Sequence, residues 1–281
     1  MKQKLIVWDL FGGGNNSVYK SLIDSDKYEI HTIDITVPER KTQYDVDLSQ
    51  DFKVLKKFFD KLPQPDIIVA SPLCQSFSSV LSMKGGGTCF WKYKDSSKTC
   101  LTERTKEEFE QLKSGFTRYL KADNQLFIKR LGEKCIDNTL SIIKHYKPKY
   151  FYIENPHNSL MWKYIKYNTD FGNYFDLHFN KGRYGNYGFI IRKDTIFLSN
   201  VEMKLKWEKF IPPYYTEIVN GEIYTVMKDN PQKRVKGIRA FDFSKIGIKK
   251  SKAFSTRQIS EIGEHSNIPK QLIREIFNYF I

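Results

Sequence analysis

Four short apolar runs, each closing on a polar or acidic residue, constrain this chain more than any other feature. Lys4 to Trp8 closes on Asp9, Tyr28 to Ile33 on Asp34, Asp66 to Ala70 on Ser71-Pro72, and Tyr150 to Ile153 on Glu154-Asn155-Pro156. Runs of that length fit buried strands and are too short for buried helices. Between them the spacing turns helical. Ser17 to Ile23 is one such segment. Asp51 to Leu62, with Phe52, Leu55, Phe58, Phe59 and Leu62 on one face, is another, and Pro63-Gln64-Pro65 stops it. Glu103 to Tyr146 reads as mostly helical, broken around Gly115 and Asp123. Strands alternating with helices predict a mostly parallel, twisted α/β sheet with helices on both faces. Ligands of such sheets sit at the carboxyl ends of the strands. Asp9, Asp34, Ser71 and Glu154 are therefore expected along one edge.

The remaining segments are less regular. Gly85-Gly86-Gly87 opens a polar stretch to about Ser97, read as a mobile loop. Asp176 to Leu198 reads as two strands around the glycine-rich segment Gly182 to Gly188. Residues 201–252 are rich in Lys, Pro and Tyr and predict a small irregular lobe. A helical run with Leu272, Ile273, Ile276, Phe277 and Phe280 follows Pro269. The expected division is 1–200, 201–252 and 253–281. No apolar run reaches the roughly 18 residues of a membrane span. The strand pattern starts almost at Met1 without a signal peptide, so a cytoplasmic protein is expected.

The net charge of +14 points to a polyanionic partner, nucleic acid first. An excess of Lys over Arg with abundant Ile, Asn, Phe and Tyr also follows from AT-rich coding, so charge alone is a weak pointer. The cysteines are Cys74, Cys89, Cys100 and Cys135, with no CxxC pair among them. Neither a zinc site nor a disulfide is expected, and no metal is required.

Three constellations carry chemistry. In Asp9-Leu10-Phe11-Gly12-Gly13-Gly14-Asn15 the glycines let a ligand approach the backbone, and the helix beyond offers free N–H groups. Asp34, ending the next strand, is placed to hold ribose hydroxyls, so an adenosine-bearing ligand is favoured over a simple turn. In Ser71-Pro72-Leu73-Cys74-Gln75-Ser76-Phe77-Ser78 a cysteine just past a strand end can serve as a thiolate nucleophile, given a proton acceptor or a lowered pKa. The competing reading is a small buried hydrophobe. Glu154 can exchange a proton with a ring nitrogen beside that cysteine, or simply cap a turn.

The order Asp-Leu-Phe-x-Gly, acidic residue, Ser-Pro-x-Cys-Gln-x-Phe-Ser, Glu-Asn-Pro resembles the cytosine-C5 DNA methyltransferase family, in its compact phage-type branch. The resemblance covers most of the chain thinly and is close only in these motifs. It implies a Rossmann-like S-adenosylmethionine-dependent fold with a small target-recognition lobe. It also implies methyl transfer to C5 of a flipped cytosine in double-stranded DNA, leaving S-adenosylhomocysteine. Cys74 matches the nucleophile and Glu154 the partner of N3, and Arg192 matches the basic strand that anchors the flipped nucleotide. Asp9, Phe11, Gly12, Gly13, Asp34, Asp47, Ser71, Pro72 and Asn267 match the cofactor site, with Asp45 competing for the role of Asp47. Gln75, Ser78, Lys84, Lys233, Arg234, Lys236 and Arg239 are the expected nucleic-acid contacts. The Gly85-Gly86-Gly87 stretch stands where the family has a loop that closes over the base, and the tail is expected to return to the cofactor site. A monomer is expected, with a cognate restriction endonuclease as a further partner. The sequence departs from the pattern at Asn15 (usually glycine), at Leu73 (usually proline) and in lacking a second arginine in the basic strand. An RNA methyltransferase acting on tRNA, and a DNA-binding relic without activity, remain as alternative readings.

Overall fold

The computed structural model describes residues 3–12, 16–36, 42–189, 191–232, 234–236, 238–239, 253–254 and 267–280. The chain opens with β1 (Leu5–Leu10), α1 (Ser17–Leu22), β2 (Tyr28–Asp34), β3 (Tyr44–Asp45), α2 (Phe52–Phe59) and β4 (Ile67–Ala70). Then come β5 (Trp91–Tyr93), β6 (Leu101–Glu103), α3 (Lys106–Leu112), α4 (Ala122–Tyr146), β7 (Tyr150–Pro156), α5 (Met161–Asn168), β8 (His178–Arg183) and β9 (Asp194–Ser199). It closes with β10 (Tyr214–Val219), β11 (Glu222–Met227), β12 (Arg234–Lys236), β13 (Ile238–Arg239), β14 (Ala253–Phe254) and α6 (Lys270–Asn278).

Seven strands form one sheet in the order β3-β2-β1-β4-β7-β9-β8. The strands from β3 to β7 run parallel, while β9 is antiparallel to both β7 and β8. The chain walks outward from β1 to β3, then crosses back to β4. That reversal leaves a crevice beyond the carboxyl ends of β1 and β4, where open α/β sheets take their ligands. The register sets Leu10 beside both Ile33 and Ala70, so three strand ends come level there. The architecture is the expected one, a mostly parallel Rossmann-like sheet with helices on both faces.

Alternation along each strand sorts side chains into two cores. Val7, Val69, Tyr152 and Phe197 pack with Val18 and Leu22 of α1 and with Ile273 and Phe277 of α6. Trp8, Ile68, Phe151 and Leu198 pack with α2, α4 and α5 through Leu55, Phe59, Ile143 and Ile165. Each such side chain contributes about 1.5–3 kcal/mol on burial. Cover on both faces explains why the strands read as unbroken apolar runs. The tail is fixed on α1, with the Ile268 N–H donating to Ser17 Oγ at 3.2 Å.

Three segments differ from the sequence reading. Strand β7 continues through Glu154, Asn155 and Pro156, because antiparallel β9 pairs with them, Glu154 opposite Phe197. The stretch expected to be a loop up to Ser97 contains β5 of a short hairpin with β6. Buried Trp91 anchors it, stacking on Phe77 at 5.4 Å with the Lys129 ammonium 4.0 Å from its ring centre. Strands of three residues are too short to show a period. The lobe expected to be irregular contains the antiparallel meander β10-β11-β12. Its first turn is Asn220-Gly221, both at positive φ (50° and 75°), the pair that a tight two-residue hairpin favours.

Helix α4 carries a glycine at its centre for a packing reason. A Cβ on Gly132 would stand 2.1 Å from Ser76 Oγ and 2.8 Å from Ser76 Cβ, and Ser76 is buried in the loop that holds Cys74. Alanine raises helix propensity by about 1 kcal/mol over glycine, but overpacking a fixed loop costs about 1–3 kcal/mol. Gly132→Ala is therefore expected to lower the thermal midpoint and displace the Cys74 loop. An unchanged or higher midpoint contradicts this account.

Candidate active site

The Cys74 loop leaves β4 in a defined direction. The Ser71 N–H donates to Leu10 O at 3.2 Å, extending the ladder by one residue, and buried Pro72 then breaks it. Cys74 opens a single 3-10 turn over Gln75–Phe77, and the Ser78 side chain caps the next turn. Three tertiary hydrogen bonds hold the loop. Asn155 Nδ2 donates to Pro72 O at 3.0 Å, the Leu160 N–H to Phe77 O at 2.9 Å, and Thr88 Oγ1 to Ser76 O at 3.0 Å. Leu73 is 39% exposed, so this tertiary framework, rather than a second proline, restrains the loop.

Cys74 and Ser78 line a cavity of about 850 Å³, together with Pro156, Arg183, Arg192 and Lys193. Known small-molecule sites span roughly 300–1,000 Å³, so one nucleotide fits. Burial pushes the Cys74 thiol up, the negative charge of Glu154 adds to this, and the Lys193 ammonium opposes it. Glu154, delivered by the neighbouring strand β7, is buried, and Tyr184 Oη donates to its Oε1 at 3.0 Å. Burial first, then the charge of Glu154, holds the Tyr184 phenol well above its ordinary range. Tyr152 is buried within electrostatic reach of Asp9 and Glu154, and among the described residues its hydroxyl has no hydrogen-bond partner.

The sequence singled out Arg192, and the structure places it at the cavity with its side chain 58% exposed and paired to Asp194. Asp194 also receives Arg183, whose Nε lies 2.7 Å from Oδ1 and whose guanidinium stacks 4.6 Å from the Trp207 ring. Lys193, next to Arg192, is the cation that acts on Cys74. Sequence reasoning missed Lys193, Tyr184, Arg183 and the bridging role of Asn155. Their one advance signal was a cluster of cations and tyrosines around the glycine-rich segment.

Of the residues expected at the cofactor edge, Asp9 lies on β1 and Asp34 ends β2. Asp9 is buried on β1 with Oδ2 unpartnered among the described residues, and a Cβ on Gly12 would fall 2.2 Å from that oxygen, so only glycine fits above it. Phe11 follows at φ 63°, a conformation strained for a non-glycine residue. Asp34 accepts from the Ile35 N–H at 2.8 Å, and Asp47 accepts from both the N–H and hydroxyl of Ser49. Asp34 and Asp47 both act electrostatically on one buried thiol. Burial first, then Asp47 and Asp34, pushes Cys135 up to about 12. Asp45 accepts from the Thr36 N–H instead. Asn267 precedes the Ile268 contact to α1, and Gly13 lies outside the described residues.

Burial, followed by the nearby charge of Asp34, raises the Asp9 carboxyl to about 8. An unfolded aspartate loses its proton near about 3.9. The folded state thus holds a proton that the unfolded chain releases between those values. Its contribution is complete below about pH 4 and is lost as pH rises towards 8. Asp9→Asn is expected to stabilise the cofactor-free protein little at pH 4 and by a few kcal/mol, in order of magnitude, at pH 8. Thermal midpoints across that range check it, and a pH-independent difference would sink it.

Gln75 and Lys84 are both exposed. Arg234 and Lys236 lie on β12 and Arg239 on β13, while Lys233 is outside the described residues. Among the described residues no cluster of three or more His, Cys, Asp or Glu could hold a metal ion. Among the same residues no helix is long and apolar enough to cross a membrane.

No family model matches the chain, and no curated protein matches it. Among solved structures, the chain is similar to a candidate DNA modification methyltransferase encoded within an E. coli prophage. Identity is 14% and the TM-score 0.41, over 80% of this chain and 61% of that one. It is also similar to the EhMeth methyltransferase of Entamoeba histolytica, at 14% identity and TM-score 0.49, over 99% and 98% of the two chains. The third is the Dnmt2 methyltransferase of S. pombe, at 16% identity and TM-score 0.38, over 73% and 52%. The chain thus spans less than two thirds of the first and third of these proteins.

Proposed function

We propose that the chain is an S-adenosylmethionine-dependent cytosine-C5 methyltransferase acting on double-stranded DNA. One observation carries the reading. Adjacent parallel strands deliver a cysteine and a carboxyl into mutual electrostatic reach beside a cavity of nucleotide size, with a lysine ammonium opposing the carboxyl's effect on the thiol.

The target carbon lies inside the base stack, so the base must first leave it, at a cost of a few kcal/mol. The Cys74 thiol passes its proton to solvent water, the Lys193 charge favouring the thiolate, and the sulfur bonds to C6. Glu154 donates a proton to N3, so the electron pair released towards C5 makes an enamine. When bound, S-adenosylmethionine would supply the electrophilic methyl group that C5 takes up, with S-adenosylhomocysteine as the leaving group. A solvent water then takes the C5 proton, the electron pair left behind expels the Cys74 thiolate, and N3 returns its proton to Glu154.

The residues at the β1 and β2 ends suit the cofactor. Asp34 would hold its ribose hydroxyls, Phe11 and Asp47 would border the adenine, and Gly12, Gly13 and Asn267 would flank the methionine part. Ser71 and Pro72 close the edge towards Cys74. The unpartnered Asp9 oxygen under Gly12 is the structural observation behind this fit. Arg183, Arg192 and Lys193 give the cavity cations for a nucleotide phosphate.

Transfer of a labelled methyl group into unmethylated duplex DNA, with tRNA as competitor, tests the reading. Label on cytosine C5 of DNA supports it. Label only on tRNA moves the substrate to RNA, and no label on either nucleic acid overturns it.

A further inference from the structure

We propose that Tyr184 is the positioning residue for Glu154, holding one carboxyl oxygen so that the other presents the proton to the base. This rests on the methyl-transfer reading above.

Tyr184 is 0% exposed, and its hydroxyl donates to Glu154 Oε1 at 3.0 Å. Among the described residues Glu154 accepts no other side-chain hydrogen bond, so this contact alone selects between its two oxygens. Burial keeps the phenol protonated throughout the neutral range, and it therefore remains a donor. When Glu154 carries the proton to be transferred, Oε1, which accepts from the phenol, is its carbonyl-type oxygen. The acid's own proton then sits on Oε2, free to pass to N3. Once it has passed, the new carboxylate already has a donor in place, with no reorganisation needed.

Local backbone geometry couples this contact to the nucleophile. The Tyr184 N–H donates to Lys193 O at 3.2 Å, and the Lys193 ammonium stands 4.4 Å from the Tyr184 ring centre. A cation on the ring face makes the phenol a stronger donor. One backbone clasp thus aims a donor at Glu154 and a positive charge at Cys74.

Tyr184→Phe removes the hydroxyl and keeps the ring in its contact with Phe189, 5.5 Å away. The expected result is a fall in kcat of roughly ten- to a hundredfold, with KM for DNA unchanged and the thermal midpoint lowered by the loss of one buried hydrogen bond. In a Glu154→Gln background the same change is expected to do nothing further, whereas a packing role would lower kcat by the same factor in both backgrounds. A readout independent of turnover is the ¹³C carboxyl resonance of Glu154 in the cofactor-free protein, assigned with Glu154→Gln. It is expected to shift in Tyr184→Phe, and an unmoved resonance overturns the contact. If Tyr184→Phe fails to fold, 3-fluorotyrosine at position 184 replaces it. That residue keeps the shape and strengthens the donor, and an unchanged kcat and carboxyl resonance overturn the proposal. A crippled Glu154→Gln beside a fully active Tyr184→Phe rejects the role of Tyr184 alone. A fully active Glu154→Gln rejects the methyl-transfer mechanism itself.

Discussion

Cys74→Ser is expected to lower methyl transfer at least about ten-thousandfold, since a serine hydroxyl ionises too weakly to replace a thiolate nucleophile. Such a loss corresponds to about 5 kcal/mol of transition-state stabilisation. Stability should hardly change, because Cys74 lines the cavity instead of the apolar core and its loop is held by Pro72, Ser76 and Phe77. Cofactor affinity should also persist, since Cys74 is not among the groups assigned to it. Wild-type activity should climb with pH above neutrality, because the thiol sits above its ordinary range. Trapping on DNA containing 5-fluorocytosine separates the explanations. The wild type should form a covalent adduct and the serine variant none. An adduct in the serine variant, or a retained rate, removes the assigned nucleophile.

Glu154→Gln is the second large effect, with kcat expected to drop about 10²–10⁴-fold, the usual weight of a general acid. Glutamine matches glutamate in shape, and its carbonyl can still accept from Tyr184. The fold and the cavity should therefore survive, and DNA affinity should stay near the wild-type value. What disappears is the transferable proton, so the enamine at C5 forms without neutralisation at N3. Single-turnover rates at saturating DNA check this. A variant that binds DNA poorly but turns over normally would make Glu154 a binding group and sink the proton role.

The apolar runs around Val7, Ile68 and Phe151 announced parallel strands because strands covered on both faces need no polar alternation. Asp9, Asp34, Cys74 and Glu154 were legible for a related reason. Each stands at or just beyond a strand's carboxyl end, and sheet topology gathers such positions whatever the rest of the chain does. Trp91 and its hairpin were not legible, because three-residue strands carry no period and their burial depends on Phe77 and Lys129 from distant segments. The Asn220-Gly221 turn was visible as a pair, but the irregular composition around it masked the strands it joins.

Local pattern thus determined the sheet, its helices and the candidate nucleophile and acid, since hydrophobic periodicity and strand-end position are properties of neighbouring residues. Only the tertiary structure decided which cation faces Cys74, which donor holds Glu154 and why Gly132 lies against Ser76. Those relations join residues that are remote in sequence, or turn on the direction in which adjacent side chains point. Packing geometry settles both.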